Sequence, residues 1–86
     1  MRLSDYECVR VLSEEGAFSA AAQRLGMTQP GLSILIARLE KQCGVKLVDR
    51  AAKTLKLTPE GVKWIEVEAQ IEALRENRRR YFEDLN

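Results

Sequence analysis

Eight cations stand between residues 16 and 63, namely Arg24, Arg38, Lys41, Lys46, Arg50, Lys53, Lys56 and Lys63, against three anions, Glu40, Asp49 and Glu60. That segment carries +5 while residues 1–15 and 64–86 carry −2 each, so the overall charge of +1 hides a polarised chain. The chemistry open to such a segment is attraction of an anion, because the field a ligand meets depends on where the charges sit. A solvated basic face is the ordinary outcome of an excess of this size. Bond-making chemistry has little to work with. The chain has no histidine, its carboxylates read as lying on solvent faces, and no glycine-rich phosphate loop occurs, so no catalytic site emerges and an enzyme is disfavoured. Cys8 and Cys43 fall on separate predicted helices without CxxC or Cys/His spacing, which argues against zinc. With no basic cluster beside them, both read as ordinary packing residues, and no cofactor is expected.

The elements that must place these charges are legible from caps and periodicity. Ser4 followed by Glu7 is a capping-box pattern, and Tyr6, Val9, Leu12 and Ser13 give one stripe at helical period, so a first helix is predicted from about Asp5 to Glu15 with Gly16 ending it. Phe18 is a candidate buried anchor, and Ser19 is the expected cap of a second helix running to about Leu25. Gly26 supplies a left-handed helix end, and Thr28 caps a third helix that starts at Gln29 or Pro30, where a proline's missing N–H costs nothing. Ala21 and Ala22 are small enough to let two helices joined by so short a turn cross closely. Residues 21–47 thus have the form of a helix-turn-helix, a pattern with many false positives when taken alone.

At about 100° per residue the third helix separates into a core face of Leu32, Ile36 and Leu39 and an opposite face of Pro30, Ser33, Ile34 and Ala37. Gln29 projects from its first turn, Arg38 lies at the margin, and Leu35 belongs to the edge of the core stripe. After Gly44 the period shortens. Lys46 to Asp49 and Thr54 to Leu57 read as a two-stranded hairpin around Arg50, Ala51, Ala52 and Lys53, a wing with a basic tip suited to a DNA backbone or minor groove. Thr58, Pro59 and Glu60 restart a helix that no Gly or Pro interrupts after Gly61. Its residues Trp64, Val67, Ile71, Leu74, Tyr81 and Leu85 form a heptad seam broken at Arg78. Pairs Glu76 with Arg80 and Arg79 with Glu83 support the helix in water, at about 0.2–0.5 kcal/mol each. The seam calls for a partner, since a chain of 86 residues builds only a modest core. No apolar run approaches the roughly 20 residues that cross a bilayer, and the N-terminus carries acids instead of a signal core. A soluble, cytoplasmic protein with no membrane partner is expected.

The combined pattern A-A-x-x-L, T-Q-P-x-L-S and L-T-x-x-G, with Phe18, Ala21, Ala22, Leu25, Thr28, Gln29, Pro30, Leu32, Ser33, Ile36, Leu39, Glu40, Gly44, Leu47, Arg50, Leu57, Thr58 and Gly61, resembles the N-terminal domain of LysR-type transcriptional regulators. The resemblance implies a mainly α fold: a winged helix-turn-helix of three helices plus a two-stranded β wing (1–58), followed by a long linker and dimerisation helix (59–86). It also implies double-stranded promoter DNA as partner, with a recognition helix of about 29–42 in the major groove and the wing, 50–54, on the backbone or minor groove. A homodimer would form through Trp64, Val67, Ile71, Leu74 and Tyr81. The effector domain of such regulators is absent, which makes the chain a DNA-binding fragment or a naturally short relative; any small-molecule effector would act through that missing domain. By the same resemblance Gln29 would pair with adenine, Thr28 and Ser33 would reach a phosphate or base edge, Pro30 would touch a thymine methyl, Arg50 and Lys53 would serve the wing, and helix N-terminal N–H groups would add phosphate affinity. Three positions depart from the family's habit. Val48 is a packing change, whereas Ile34 and Ala37 replace polar or basic residues and either favour thymine methyl groups or leave those positions unread. The competing reading is a protein-interaction module without DNA binding, supported by that apolar face and the near-neutral total charge.

Overall fold

The computed structural model describes residues 4–51 and 53–85; Ala52, at the expected tip of the wing, lies outside the described residues. The first helix, α1, spans Asp5–Glu15, with the Ser4 hydroxyl accepting from the Glu7 N–H at 3.1 Å and Gly16 closing it at φ 72°. Its buried side chains are Cys8, Val9, Val11 and Leu12, a wider stripe than the expected Tyr6–Val9–Leu12 line, with Tyr6 only half-buried. The stripe is wide because α1 packs against every other helix.

The second helix, α2, spans Phe18–Leu25 and corrects one expectation: Ser19 is an exposed residue inside the helix, not its cap. The cap position belongs to Ala17, extended at φ −156° and without a side-chain hydrogen bond. Tertiary packing of Phe18 on the core, rather than a local cap, fixes this start. At the other end Gly26 turns left-handed at φ 68°, and the Met27 N–H donates to the Ala22 carbonyl at 2.9 Å. Those bonds satisfy carbonyls the helix would otherwise leave open. Helix α3, Gln29–Cys43, begins one residue beyond Thr28, whose hydroxyl accepts from the Gly31 N–H at 3.1 Å. Ala21 and Ala22 are buried, as are Leu32, Ile36 and Leu39 of α3.

The wing consists of β1, Val48–Asp49, and β2, Lys56–Leu57, antiparallel with Val48 opposite Leu57 and Asp49 opposite Lys56. Both strands are shorter than the sequence suggests. The reason is competition for backbone groups, since the Leu47 N–H is taken by the Glu40 carboxylate and the Leu55 N–H donates to the Gly16 carbonyl at 3.1 Å. The last helix, α4, spans Pro59–Asp84 and starts at Thr58, whose hydroxyl accepts from the Gly61 N–H at 2.9 Å. Its first two turns belong to the globular body, where Trp64 and Ile65 pack against the core. The next turns, with Glu68, Ile71 and Glu72 half-buried, still flank the body, and beyond them the helix runs outward, so the molecule measures 49 × 26 × 21 Å. Among the described residues, no helix is long and apolar enough to cross a membrane.

Candidate nucleic-acid interface

Opposite the Leu32, Ile36 and Leu39 side, Pro30, Ile34, Ala37 and Lys41 follow one another down the exposed face of α3. Ile34 is 67% exposed, whereas Ser33, on the wing side of this line, is half-buried. Gln29 is exposed at the start of the helix. The Thr28 cap uses the acceptor side of its hydroxyl and leaves the proton available to a ligand oxygen. The helix N-terminus offers less than its dipole suggests: Pro30 has no N–H, and the Gly31 and Leu32 N–H groups go to the side chain and carbonyl of Thr28, leaving that of Gln29.

The structure brings Gln29 and Ser33 together with Arg50 and Lys53 around one cleft of about 390 Å³, whose remaining wall is Gly16, Ala17, Phe18 and Leu55. Arg50 is held at its base by the Phe18 ring, with the guanidinium carbon 4.7 Å from the ring centroid. A second hollow of about 450 Å³ separates the far half of α3 from the wing, between Ala37 and Ala51. Two elements thus present polar and cationic side chains side by side.

What fixes their relative position is a carboxylate that the sequence alone places on a solvent face. Glu40 is 6% exposed, and its carboxylate accepts from the Leu47 N–H at 2.8 Å and the Val48 N–H at 3.3 Å. Lys46 lies 4.0 Å from the other carboxylate oxygen. The recognition helix is therefore tied to the root of the wing by a buried charge satisfied by main-chain donors. Its angular place between the core stripe and Ser33 was the available signal. The wing is stitched again at its other end, where the Thr58 N–H donates to the Leu47 carbonyl and Gly61 lies so close that an added Cβ would sit 2.0 Å from that oxygen.

Other expected cations are placed differently. Arg24 bridges to Glu14 at 2.8 Å and Glu15 at 3.0 Å, so the α1–α2 packing occupies it. The same pairing, with Arg10 as the lesser partner, holds the Glu14 carboxyl below the ordinary carboxylate range. Arg38 borders a polar hollow with Ser4, Asp5, Tyr6, Glu68, Glu72 and Arg75, on the side of α3 away from the wing. Of the two cysteines, Cys8 is buried, and that burial, with Asp5 and Glu7 nearby, pushes its thiol pKa up. Cys43, expected to be a packing residue, is exposed because the last turn of α3 projects beyond the core.

Along α4 the seam divides. Trp64 packs on the domain and Ile71 is half-buried, while Val67, Leu74 and Tyr81 are exposed, Leu74 to 68% and Tyr81 to 62%. Phe82, which lies off the heptad seam, meets Tyr81 edge-on with ring centroids 5.5 Å apart. The expected Glu76–Arg80 and Arg79–Glu83 pairs form, at 3.4 and 2.6 Å.

The family model for bacterial regulatory helix-turn-helix proteins of the lysR family matches residues 3–62. An HTH-type transcriptional regulator from the ibpB-leuC intergenic region of Azotobacter vinelandii is 36% identical over 86 residues, covering 100% of this chain and 60% of the relative. The BenM DNA-binding domain in complex with benA site 1 DNA superimposes with a TM-score of 0.88 at 27% identity, over 100% of both chains. DarR of Vibrio fischeri, solved in complex with DNA, gives a TM-score of 0.86 at 32% identity over 99% of this chain and 30% of that one. The chain therefore spans 60% of the first relative and under a third of the DarR chain.

Proposed function

Because the chain belongs to the LysR family of bacterial regulatory helix-turn-helix proteins, we propose that it binds double-stranded DNA sequence-specifically and serves as the DNA-binding part of a transcriptional regulator. The observation that carries this reading is the shared cleft, in which Gln29 and Ser33 of α3 stand beside Arg50 and Lys53 of the wing. A carboxamide at the head of an exposed helix pairs bidentately with adenine, while cations beside it neutralise phosphates. Thr28, Gln29, Pro30, Ser33, Ile34 and Ala37 face the major groove; Arg50 and Lys53 take the backbone or minor groove; Arg38, on the flank away from the wing, serves a phosphate at the groove's edge. The neighbours solved with DNA support this choice over a protein-interaction module.

Self-association through α4 completes the proposal. The first two turns of α4, at the head of the dimerisation segment, 59–86, pack on the DNA-binding body, 1–58, and Val67, Ile71, Leu74 and Tyr81 continue the seam begun at Trp64. The apolar surface left exposed on this helix supports that arrangement. Selection of bound duplexes from a random pool tests the function: enrichment of a two-half-site motif is expected, and failure to enrich any sequence would contradict it.

A further inference from the structure

Ile34 is the exposed large apolar side chain of α3, 67% open to solvent, and it stands where a groove-reading helix places its contacts. Its neighbours on the same line, Pro30 one turn before and Ala37 one turn after, are exposed and apolar as well. None of the three can hydrogen-bond through its side chain, so this line offers a base edge no donor or acceptor of its own, Ser33 standing half-buried beside it on the wing side. The core gains nothing from Ile34, because Leu32, Ile36 and Leu39 already fill the buried side of the helix. Only one base offers an apolar group in the major groove, the C5 methyl of thymine.

Resting on the proposed DNA-binding function, we infer that Ile34 is a specificity-determining residue that reads a thymine methyl group one helical turn beyond the base met by Gln29 and Pro30. Isoleucine suits the task through its branched side chain, whose first torsion is held largely in one rotamer on a helix. Ala37 leaves space next to it, so the thymine approaches without a clash. Every base presents polar groups that the strip cannot satisfy, the thymine O4 included, so selectivity arises from the methyl contact, which thymine alone offers.

The test uses the 86-residue chain and the duplex it enriches from a random pool, with each thymine replaced in turn by uracil, which deletes the methyl and nothing else. Wild-type protein is expected to lose about three- to fivefold in affinity at one thymine per half-site, the size expected for one methyl group kept in water. Ile34→Ala is expected to bind both duplexes equally at that position while keeping the uracil sensitivity of any other. Its helix content, compared by circular dichroism, is expected to match the wild type because the side chain is exposed. Equal affinity of the wild-type protein for every uracil duplex would overturn the inference and leave DNA binding intact. A preference that persists in Ile34→Ala would overturn it in favour of Pro30, and absence of binding to any duplex would overturn the proposed function itself.

Discussion

Glu40 and Arg24 show how far a side chain's role depends on residues distant in sequence. Glu40 sits in the last two turns of α3 and would be solvated on a lone helix, yet Leu47 and Val48 fold back to present their N–H groups to it. Glu40→Ala is expected to destabilise the domain by about 2–4 kcal/mol, because a buried main-chain donor loses its charged partner. Glu40→Gln, which keeps an acceptor oxygen and the side-chain volume, is expected to cost markedly less; urea unfolding measures both, and equal losses would show that the negative charge, which both variants lack, carries the whole contribution. Arg24 counts towards a basic middle segment on paper, but Glu14 and Glu15 occupy it. Arg24→Ala should therefore leave duplex affinity unchanged, whereas Gln29→Ala should relax preference at one base by about 1–3 kcal/mol in a competition assay. The groove face itself was legible because angle on a helix follows from residue number. The buried state of Glu40 and the pairing of Arg24 were not, since both depend on contacts made only after the chain turns back.

Helix ends behaved according to the same division. Ser4, Thr28 and Thr58 each cap within three residues, so α1, α3 and α4 begin where the sequence predicts. Helix α2 has no such cap; its start follows the docking of Phe18, and Ser19 resembled a signal without acting as one. The wing strands shrank to two residues each because helix and turn compete for their backbone groups. The entry of α4 into the body depends on Gly61, where no Cβ fits against the Leu47 carbonyl. Gly61→Ala is expected to cost at least the roughly 1–3 kcal/mol of an overpacked core and to weaken DNA binding by shifting the wing, read by thermal unfolding and by duplex titration. Unchanged stability would mean that the contact relaxes without consequence.

At the level of the complete chain, a small body carries a 26-residue helix whose far end, beyond about residue 75, it does not cover, and along whose nearer half Val67 and Leu74 stay exposed. Burial of Val67, Leu74 and Tyr81 in a second copy would add the apolar contact that a domain of this size lacks. Ile71→Asp is expected to shift sedimentation from dimer to monomer and to weaken binding to paired half-sites more than to one; a mutant that stays dimeric would place the interface elsewhere. The polarised charge bears on function more directly than the total of +1. Duplex affinity measured as a function of salt tests whether α3 and the wing together grip the phosphate backbone. The expected result is a loss of roughly thirtyfold or more between about 50 and 200 mM, as for three or more phosphate contacts, with Lys53→Ala flattening the logarithmic slope by about 0.9. A salt-independent affinity, or a slope that Lys53→Ala leaves untouched, would contradict it.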